Sequence, residues 1–382
     1  MKIDKTLFYK IYSCSDPGYI DVVIFFSPGA YKQVFNRLSS VGKDVRYFEF
    51  IKAFCVKLKP QSVMELSRFN IIEYITSLSS VTTLMDIARN TINVEGLYSQ
   101  NIFGQNQTLA VIDTGISPHM DILSFNNRIV CFKDFINNKQ KMYDDNGHGT
   151  FVSGVALGNG FTSMGKYSGV APMSNLVMLK ALDKSGESDA LNILSAMEWI
   201  YLNASDYNIG VVCMSFGSTP FDKNDPLVMG ANALWDKGII VVAAAGNSGP
   251  APRTIKSPGV SNHIITVGGI DDRVSNHFVP DFSSRGPAYS FYKPDVVAPG
   301  VDVTSTNYTM IAKEPYTVMS GTSVATPIVA GATLLLKQKY PYLSCAQIKK
   351  LITNNAIVLP QEYGGGRNKQ GYGVLNLKLK SV

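Results

Sequence analysis

The chain has 382 residues, of which 45% are hydrophobic and 17% charged, a composition typical of folded globular proteins and unlike disordered or fibrous chains. Its 35 basic and 29 acidic side chains give a net charge of +6 without a basic run, which argues against nucleic acid as a partner. No segment approaches the roughly 18 uninterrupted apolar residues of a membrane span, so no membrane partner is expected.

The cysteines and the first residues bear on the cellular compartment. The five cysteines form an odd set without C-x-x-C spacing, which argues against a disulfide framework and a zinc site. The opening MKIDKTLFYKIYSC mixes charged and polar residues where a secretory signal needs an apolar stretch. The sequence therefore predicts reduced thiols and a cytoplasmic location, with unconventional release left open.

The first part of the chain, residues 18–78, predicts a small α+β unit. A strand at 18–27 precedes an amphipathic helix, and two strands rich in β-branched and aromatic residues follow. Pro60 then opens a short helix before a last strand at 71–75. The order βαββαβ is that of a ferredoxin-like split unit.

A Ser/Thr-rich stretch at 77–95 follows and predicts two domains, 1–85 and 86–382. In the second domain, nearly continuous apolar runs alternate with helical periods. Such runs form strands that are buried on both faces, as in a parallel sheet. The predicted fold is a doubly wound α/β layer, with a mostly parallel sheet flanked by helices. The predicted strands lie at 108–113, 176–182, 210–216, 239–246, 264–270 and 371–377.

Three segments place a reactive side chain at the end of an apolar run or the start of a helix, where open α/β sheets bind ligands. They carry Asp113, His148 and Ser323. Each alone has an ordinary structural explanation as a cap or a core residue. Together, the order Asp, His, Ser is one of the known orders of a serine-nucleophile triad. A helix amino end also favours the negative charge that develops in acyl transfer.

With these segments, the chain resembles the subtilisin-like serine proteases, the subtilases, over about residues 96–382. Residues 1–85 resemble the inhibitory propeptide of that family, and the intracellular type without a signal is the most similar. Four further motifs stand in family order: AAAGNSG (243–249), DFSSRGP (281–287), KPDVVAPGVDV (293–303) and GYGVLN (371–376).

The resemblance implies a catalytic mechanism. Ser323 would be the nucleophile, His148 the general base and then acid, and Asp113 the carboxylate that orients the imidazole and stabilises its charged form. Asn247 falls on the oxyanion asparagine, whose amide would act together with the backbone N–H of Ser323. The expected function is a serine endopeptidase acting on polypeptides.

The resemblance also implies a substrate cleft in which a peptide pairs as an added strand. The loop 250–259 would form the floor of the pocket for the P1 side chain, the substrate residue whose carbonyl is attacked. Lys256 or Arg253 could reach in there and favour an acidic or polar P1 side chain, or could point outward. The residues expected to line the cleft are Ser185, Gly186, Ser215, Phe216, Gly217, Ala244, Ala245 and Gly246.

Some positions depart from the family pattern. The loop 157–172 contains no carboxylate, and Asp121 alone cannot supply the six or more oxygens that calcium needs, so no strong calcium site and no other cofactor are expected there. A calcium site elsewhere stays open. Phe151 stands where many relatives carry a second histidine, and we interpret this as a packing change. Cys213 is interpreted as a buried thiol rather than a redox switch.

The propeptide resemblance implies regulation in cis. The first domain would assist folding and lay its tail, Thr76 to about Leu84, along the cleft. A self-cut is expected within 77–90, for example after Leu84. Two other functions stay open. A pseudoprotease scaffold would be indicated by a missing catalytic residue, although all four are present. An ester or lipid hydrolase would usually carry G-x-S-x-G, where this chain has G-T-S-V-A around Ser323.

Overall fold

A computed structural model of the chain describes residues 2–3, 7, 11, 18–77, 84–124, 126–220, 224–274, 276–309 and 314–379. The chain divides into two compact units, Met1–Val81 and Thr82–Val382. The division falls inside the Ser/Thr-rich stretch. No helix in the described part of the chain is both long and apolar enough to cross a lipid bilayer.

The first unit has the predicted βαββαβ order. Its four strands form one antiparallel sheet in the order β2-β3-β1-β4, and Ile24, Leu38 and Phe54 lie in its apolar core. A short 3₁₀ turn at Glu49–Ile51 joins β2 to β3. The strands are β1 (Ile20–Phe26), β2 (Gly42–Phe48), β3 (Ala53–Leu58) and β4 (Ile72–Ser77), and the helices are α1 (Tyr31–Val41) and α2 (Pro60–Leu66).

The second unit is built on a seven-stranded parallel sheet in the order β11-β10-β9-β8-β5-β7-β6. The predicted doubly wound α/β fold is confirmed. Its strands are β5 (Thr108–Asp113), β6 (Ile129–Asp134), β7 (Asn175–Lys180), β8 (Ile209–Met214), β9 (Ile240–Ala244), β10 (Ile265–Ile270) and β11 (Val296–Pro299). A separate antiparallel pair consists of β12 (Val303–Thr306) and β13 (Tyr316–Met319).

Each central strand is buried on both faces because successive side chains point to opposite sides of the sheet. Leu109 and Val111 belong to one apolar core, whereas Ala110 and Ile112 belong to the other. The first core contains α6 (His148–Leu157) and α9 (Thr322–Lys339). The second contains α7 (Ala190–Asn203) and α8 (Pro226–Asp236). The other helices are α3 (Leu84–Thr91), α4 (Glu95–Tyr98), α5 (Met120–Leu123), α10 (Cys345–Asn355), α11 (Gln361–Gly364) and α12 (Arg367–Gln370).

The predicted strand at 371–377 is wrong. Gly371 and Gly373 have φ of 62° and 124°, outside the range of extended strands, and only Val374 forms isolated bridges, to Val297 and Ile357. β6 and the β12–β13 pair were not predicted from the sequence. β6 lies at the sheet edge and is only partly buried, so it lacks a continuous apolar run.

Candidate active site

The predicted catalytic residues lie at the carboxyl-terminal edge of the seven-stranded sheet. Asp113 is the last residue of β5, and Ser215 directly follows β8, which pairs with β5. The sheet extends in both directions from β5, with β7 on one side and β8 on the other. Open α/β sheets bind ligands at such a switch point, outside the carboxyl ends of the strands.

His148 and Asp113 are joined by hydrogen bonds. The Nδ1 atom of His148 lies 2.8 Å from Oδ1 and 3.0 Å from Oδ2 of Asp113. Asp113 is completely buried, and its Oδ1 also accepts a 2.7 Å hydrogen bond from the N–H of Thr114. Burial lowers the pKa of His148, but the charge and hydrogen bond of Asp113, with the charge of Asp144, outweigh burial and raise it above its ordinary value. The pair therefore stabilises a protonated imidazole.

Two glycines fix the backbone around His148. Gly147, which precedes α6, has φ of 109°, a conformation that other residues rarely adopt. A Cβ on Gly149 would collide with the carbonyl oxygen of Gly115, so only glycine allows this close approach. The N–H of Gly149 donates to Oγ1 of Thr114 over 2.8 Å. The helix can therefore start close enough to the end of β5 for the imidazole to reach its carboxylate.

Asp144 organises the amino end of α6, a role that the sequence analysis missed. Its Oδ1 accepts hydrogen bonds from the N–H of Gly147 at 2.8 Å and the hydroxyl of Thr114 at 3.0 Å. Its Oδ2 accepts from the N–H and the hydroxyl of Thr150 at 2.9 and 2.6 Å. Because the first N–H groups of a helix have no partner within it, this carboxylate stabilises the helix start. An aspartate ahead of a helix is the signal that could have revealed it.

A buried lysine supports the turn after β5. Lys180 ends β7 and has no exposed surface. Its Nζ donates to the carbonyl oxygens of Thr114 at 2.6 Å and Leu182 at 2.9 Å, and to Oδ1 of Asp145 at 2.6 Å. A buried ammonium group needs such partners because an unpaired buried charge is costly. The apolar run that predicts β7 gives no sign of these partners.

Asn247 and Ser323 flank the backbone of Gly321. A Cβ on Gly321 would lie 3.1 Å from Nδ2 of Asn247 and 3.2 Å from Oγ of Ser323. The Oδ1 atom of Asn247 accepts 2.9 Å hydrogen bonds from both the N–H and the hydroxyl of Thr322. These bonds hold the amide so that its NH₂ group lies on the side of Gly321 where the serine hydroxyl lies.

Ser323 itself lies in the first turn of α9. Its N–H donates to no acceptor among the described residues, and within that part of the chain no hydrogen bond joins it to His148. A helix amino end concentrates partial positive charge near this hydroxyl. Catalytic hydrogen bonds are often long in sites without substrate and shorten when substrate binds.

The predicted substrate segments border the same edge. Ser218, directly after Phe216 and Gly217, pairs with Ser257 through backbone hydrogen bonds of 3.0 and 2.9 Å. The second segment predicted to line the cleft, Ala244 to Gly246, lies at the end of the neighbouring strand β9 and directly after it. The N–H of Gly246 donates to Oγ1 of Thr322 over 3.1 Å. The two segments thus follow adjacent strands, and Gly246 contacts the start of α9.

The predicted segment of Ser185 and Gly186 lies in an exposed turn, which is closed by a 2.8 Å hydrogen bond from the N–H of Ser185 to Oδ1 of Asp183. The Nδ2 atom of Asn146 donates to the carbonyl oxygen of Lys184 over 3.0 Å. This contact joins the turn to the loop that precedes α6.

Comparison with protein families settles the class. The model of the Subtilase family matches residues 104–373. The chain belongs to the subtilase family. This makes it a subtilisin-like serine peptidase, and the predicted enzyme class is confirmed.

Several relatives resemble this subtilase over most of its length. Serine protease AprX of Bacillus subtilis strain 168 is 36% identical over 382 residues, covering 91% of this chain and 86% of AprX. The thermostable alkaline protease of Halalkalibacterium halodurans is 32% identical over 328 residues, covering 84% and 83%. Two solved structures, S41 psychrophilic protease and Sphericase, have TM-scores of 0.65 and 0.64 at 30% and 28% identity. They cover 79% and 75% of this chain, and the match spans 100% and 97% of their own.

In this subtilase, the carboxylate of Asp121 bonds within the protein. It is completely buried, and its Oδ1 accepts a 2.9 Å hydrogen bond from the N–H of Thr162. Its Oδ2 accepts a 2.7 Å bond from the hydroxyl of Tyr316, and its backbone carbonyl accepts a 2.6 Å bond from Arg128. Among the described residues, no group of three or more His, Cys, Asp or Glu side chains could hold a metal ion. Asp121 therefore connects the loop after α6 to β13.

Phe151 and Cys213 both lie in the apolar core. Phe151 is completely buried in α6, as expected for a packing residue. Cys213 is also completely buried, and burial raises the pKa of its thiol to about 12. A thiol with this pKa stays protonated at neutral pH, so the interpretation of Cys213 as a buried thiol is confirmed.

Proposed function

We propose that this subtilase is an endopeptidase that cuts polypeptide chains, with Ser323 as nucleophile. His148 takes the hydroxyl proton and then gives it to the leaving amine. Asp113 holds the imidazole with Nδ1–H directed at the carboxylate, which leaves Nε2 to accept the proton. The cationic intermediate is stabilised by the same contact that raises the pKa of His148.

The hydrogen-bonded pair of His148 and buried Asp113 carries this proposal. A general base needs an orienting partner on its second nitrogen, and a buried carboxylate at 2.8 Å supplies one. Asn247 adds support, because Thr322 holds its amide beside the serine hydroxyl. Its NH₂ group and the N–H of Ser323 would donate to the oxyanion of the tetrahedral intermediate.

We further infer that the first unit is an inhibitory propeptide acting in cis and that the protein matures by cutting itself. The βαββαβ order of the first unit supports this inference. The alignment with AprX also supports it, because it covers 91% of the chain, whereas the second unit holds 301 of 382 residues. Residues 78–83 lie outside the described residues, and with them most of the predicted tail from Thr76 to Leu84.

The start of α3 narrows the predicted window for the cut. Ala88 and Ile92 are buried in the core of the second unit, and the carbonyl oxygen of Ile92 accepts a 2.8 Å hydrogen bond from the N–H of Leu377. Proteases bind their substrates as extended strands, so a cut after Leu84 would require this helix to unwind. We therefore place the cut between Ser77 and Leu84.

We also propose a cytoplasmic location for the protein. The four cysteines that the structure describes are free, as expected in a reducing compartment. Fractionation of the cells that make it, with a cytoplasmic marker enzyme alongside, tests this location.

The first experiment compares the purified wild type with Ser323→Ala by intact mass, with and without a fluorophosphonate label. Ser320→Ala is the matched control, since Ser320 is exposed, lies three residues before Ser323, and its hydroxyl hydrogen-bonds with Asp302. The wild type and Ser320→Ala should lose residues up to a point between 77 and 84 and take up one label. Ser323→Ala should stay whole and unlabelled.

Two results would contradict these proposals. Labelling of Ser323→Ala at the wild-type rate would exclude Ser323 as nucleophile. A wild type that stays whole and unlabelled, and remains so after removal of the first unit, would favour the pseudoprotease alternative. A first cut outside 77–84, with normal labelling, would overturn only the proposed maturation site.

A further inference from the structure

The antiparallel pair β12–β13 leads directly to the proposed nucleophile. β12 pairs with β13 along its whole length. Ser323 follows Met319, the last residue of β13, by only four residues. The backbone between them is held as well, because the N–H of Gly321 donates to the carbonyl oxygen of Gly300 over 2.8 Å. The position of the serine therefore depends on where this pair of strands lies.

The same pair contacts the helix that carries His148. Two hydroxyls of β12 donate to carbonyl oxygens in the first turn of α6. Oγ1 of Thr306 donates to Thr150 over 2.8 Å, and Oγ of Ser305 donates to Phe151 over 2.9 Å. All four of these residues are buried. A hydrogen bond in such an interface cannot be exchanged freely for one to bulk water, so its loss alters the contact between strand and helix.

A glycine in α6 permits this contact. A Cβ on Gly154 would overlap both Oγ1 of Thr306 and Oγ of Ser305, so only glycine lets the helix lie so close to the strand. A further contact lies at the start of the helix, where a Cβ on Gly147 would overlap the ring of Tyr308. The residues of β12 and the loop after it thus contact α6 from its amino end to its second turn.

β12 and β13 therefore connect the two residues that are proposed to exchange a proton. One strand is bonded to the helix of His148, and the other continues towards the helix of Ser323. Since no hydrogen bond joins these two side chains in the described structure, the surrounding backbone fixes the distance between them. Catalysis is sensitive to this distance, because a displacement of about 1 Å can cost about 10²-fold in rate.

We propose that Thr306 and Ser305 are positioning residues of this subtilase, which set the separation between the imidazole of His148 and the hydroxyl of Ser323. Both side chains are buried and end on backbone carbonyl oxygens, so they act through α6 rather than on the substrate. This inference rests on the proposed endopeptidase function. It adds two residues to those that the function needs.

The test measures steady-state kinetics with a peptide substrate and the rate of fluorophosphonate labelling, on protein whose maturation has been checked by intact mass. Thr306→Val keeps the shape of the side chain and removes the hydroxyl. Its kcat and its labelling rate should both fall by about tenfold, whereas KM should hardly change. Thr306→Ser keeps a hydroxyl and should recover most of the loss. Thr304→Val is the matched control, since Thr304 is also buried in β12 and, among the described residues, its hydroxyl bonds to no part of α6.

A pH profile distinguishes positioning from general damage to the site. The hydrogen bonds between His148 and Asp113 do not involve β12, so the midpoint of kcat/KM in Thr306→Val should be that of the wild type. A shifted midpoint would show that the substitution disturbs the pair itself and would contradict the proposal. Ser305→Ala removes the other hydroxyl and should give a loss of the same kind, which keeps the test decisive if Thr306→Val does not fold.

The kinetics can also overturn the inference directly. If Thr306→Val and Thr304→Val turn over substrate at the same rate, or if Thr306→Val raises KM at constant kcat, the inference is wrong. If the wild type itself neither cuts the peptide nor takes up the label, the endopeptidase function fails instead.

Discussion

Asp113 and Lys180 are register partners at the ends of two neighbouring parallel strands, β5 and β7. Asp113 bonds to the imidazole of His148, whereas Lys180 bonds to the carbonyl oxygen of Thr114, the residue that follows Asp113. The buried cation thereby fixes the turn from which the carboxylate and the helix of His148 are both held. Lys180 is a positioning residue in this arrangement.

Replacing Lys180 by Met should weaken both the fold and the site. The carbonyl oxygens of Thr114 and Leu182 would lose their donor, so we expect about 1–3 kcal/mol less stability. The loss is measured by denaturant unfolding in the Ser323→Ala background, which prevents self-digestion. Asp145→Asn is the control, since it keeps both carbonyl contacts and should cost less. Equal losses in the two variants would contradict the assignment of the main role to the carbonyl contacts.

The pH profile should report the contact between His148 and Asp113. The general base works as the neutral imidazole, and its pKa is raised, so kcat/KM should increase with pH to a midpoint above about 6.5. Asp113→Asn removes the main raising influence, and the midpoint should move to lower pH. Turnover should drop by about 10⁴-fold, a magnitude taken from the corresponding change in other serine proteases. A midpoint that does not move would contradict this role of Asp113.

Asn247→Ala should lower kcat by about 10²–10³-fold with little change in KM, because the proposed role of its NH₂ group is to donate to the oxyanion that develops in the transition state. This magnitude is known from a subtilisin and is borrowed from it. Steady-state kinetics with a peptide substrate measures it, and Ser248→Ala serves as the neighbouring control. Thr322→Val, which keeps the backbone bond to Asn247 and removes the hydroxyl bond, should give a smaller loss of the same kind. A rise in KM at constant kcat in Asn247→Ala would argue against an oxyanion role.

Chelators should leave the half-life at elevated temperature nearly unchanged, because hydrogen bonds already occupy both carboxylate oxygens of Asp121. Tyr316→Phe should lower stability by about 1–3 kcal/mol whether or not calcium is present, since a buried carboxylate loses a donor. Thermal inactivation with EDTA and with added calcium tests both statements. A half-life that collapses in EDTA would reveal a calcium site that stabilises the protein.

Cys213 should resist maleimide in the native protein at pH 8, since its thiol is buried and protonated. It should react fully once the protein is unfolded in guanidinium chloride. Peptide mass mapping distinguishes it from Cys55 and Cys131, which are partly exposed and provide an internal comparison. Rapid native labelling of Cys213 would contradict the assigned burial.

The sequence predicts those helices and strands that are determined by the residues of their own segment. The continuous apolar run at 108–113 becomes β5 at those same residues, and the helix that Pro60 opens begins there. A strand buried on both faces appears as a continuous apolar run, and a helix start is indicated by a proline at its first position. The order of helices and strands within residues 18–77 was predictable for the same reason.

Features that depend on contacts between residues far apart in the sequence could not be predicted in this way. Lys180 sits in an apolar run, and only the fold shows that its ammonium group meets the turn after Asp113. The closing segment at 371–377 has the composition of a strand, but Gly371 and Gly373 turn the backbone away from it. The sequence likewise left open whether Lys256 points outward or into the cleft, because its direction is set by contacts with Gly217 and Gly246.

Helix α3 and the two residues that follow it connect the beginning of the second unit to its end. Besides the bond between Ile92 and Leu377, the hydroxyl of Thr91 donates to Asp272 over 2.9 Å, and Asn93 donates to Asn376 over 3.0 Å. If the proposed cut removes the first unit, other peptidases that shorten the new amino end past Asn93 would break the contacts with Leu377 and Asn376 and loosen the carboxyl end as well. The resistance of the mature enzyme to proteolysis, including proteolysis by other copies of itself, would then depend on how stably this short segment stays folded.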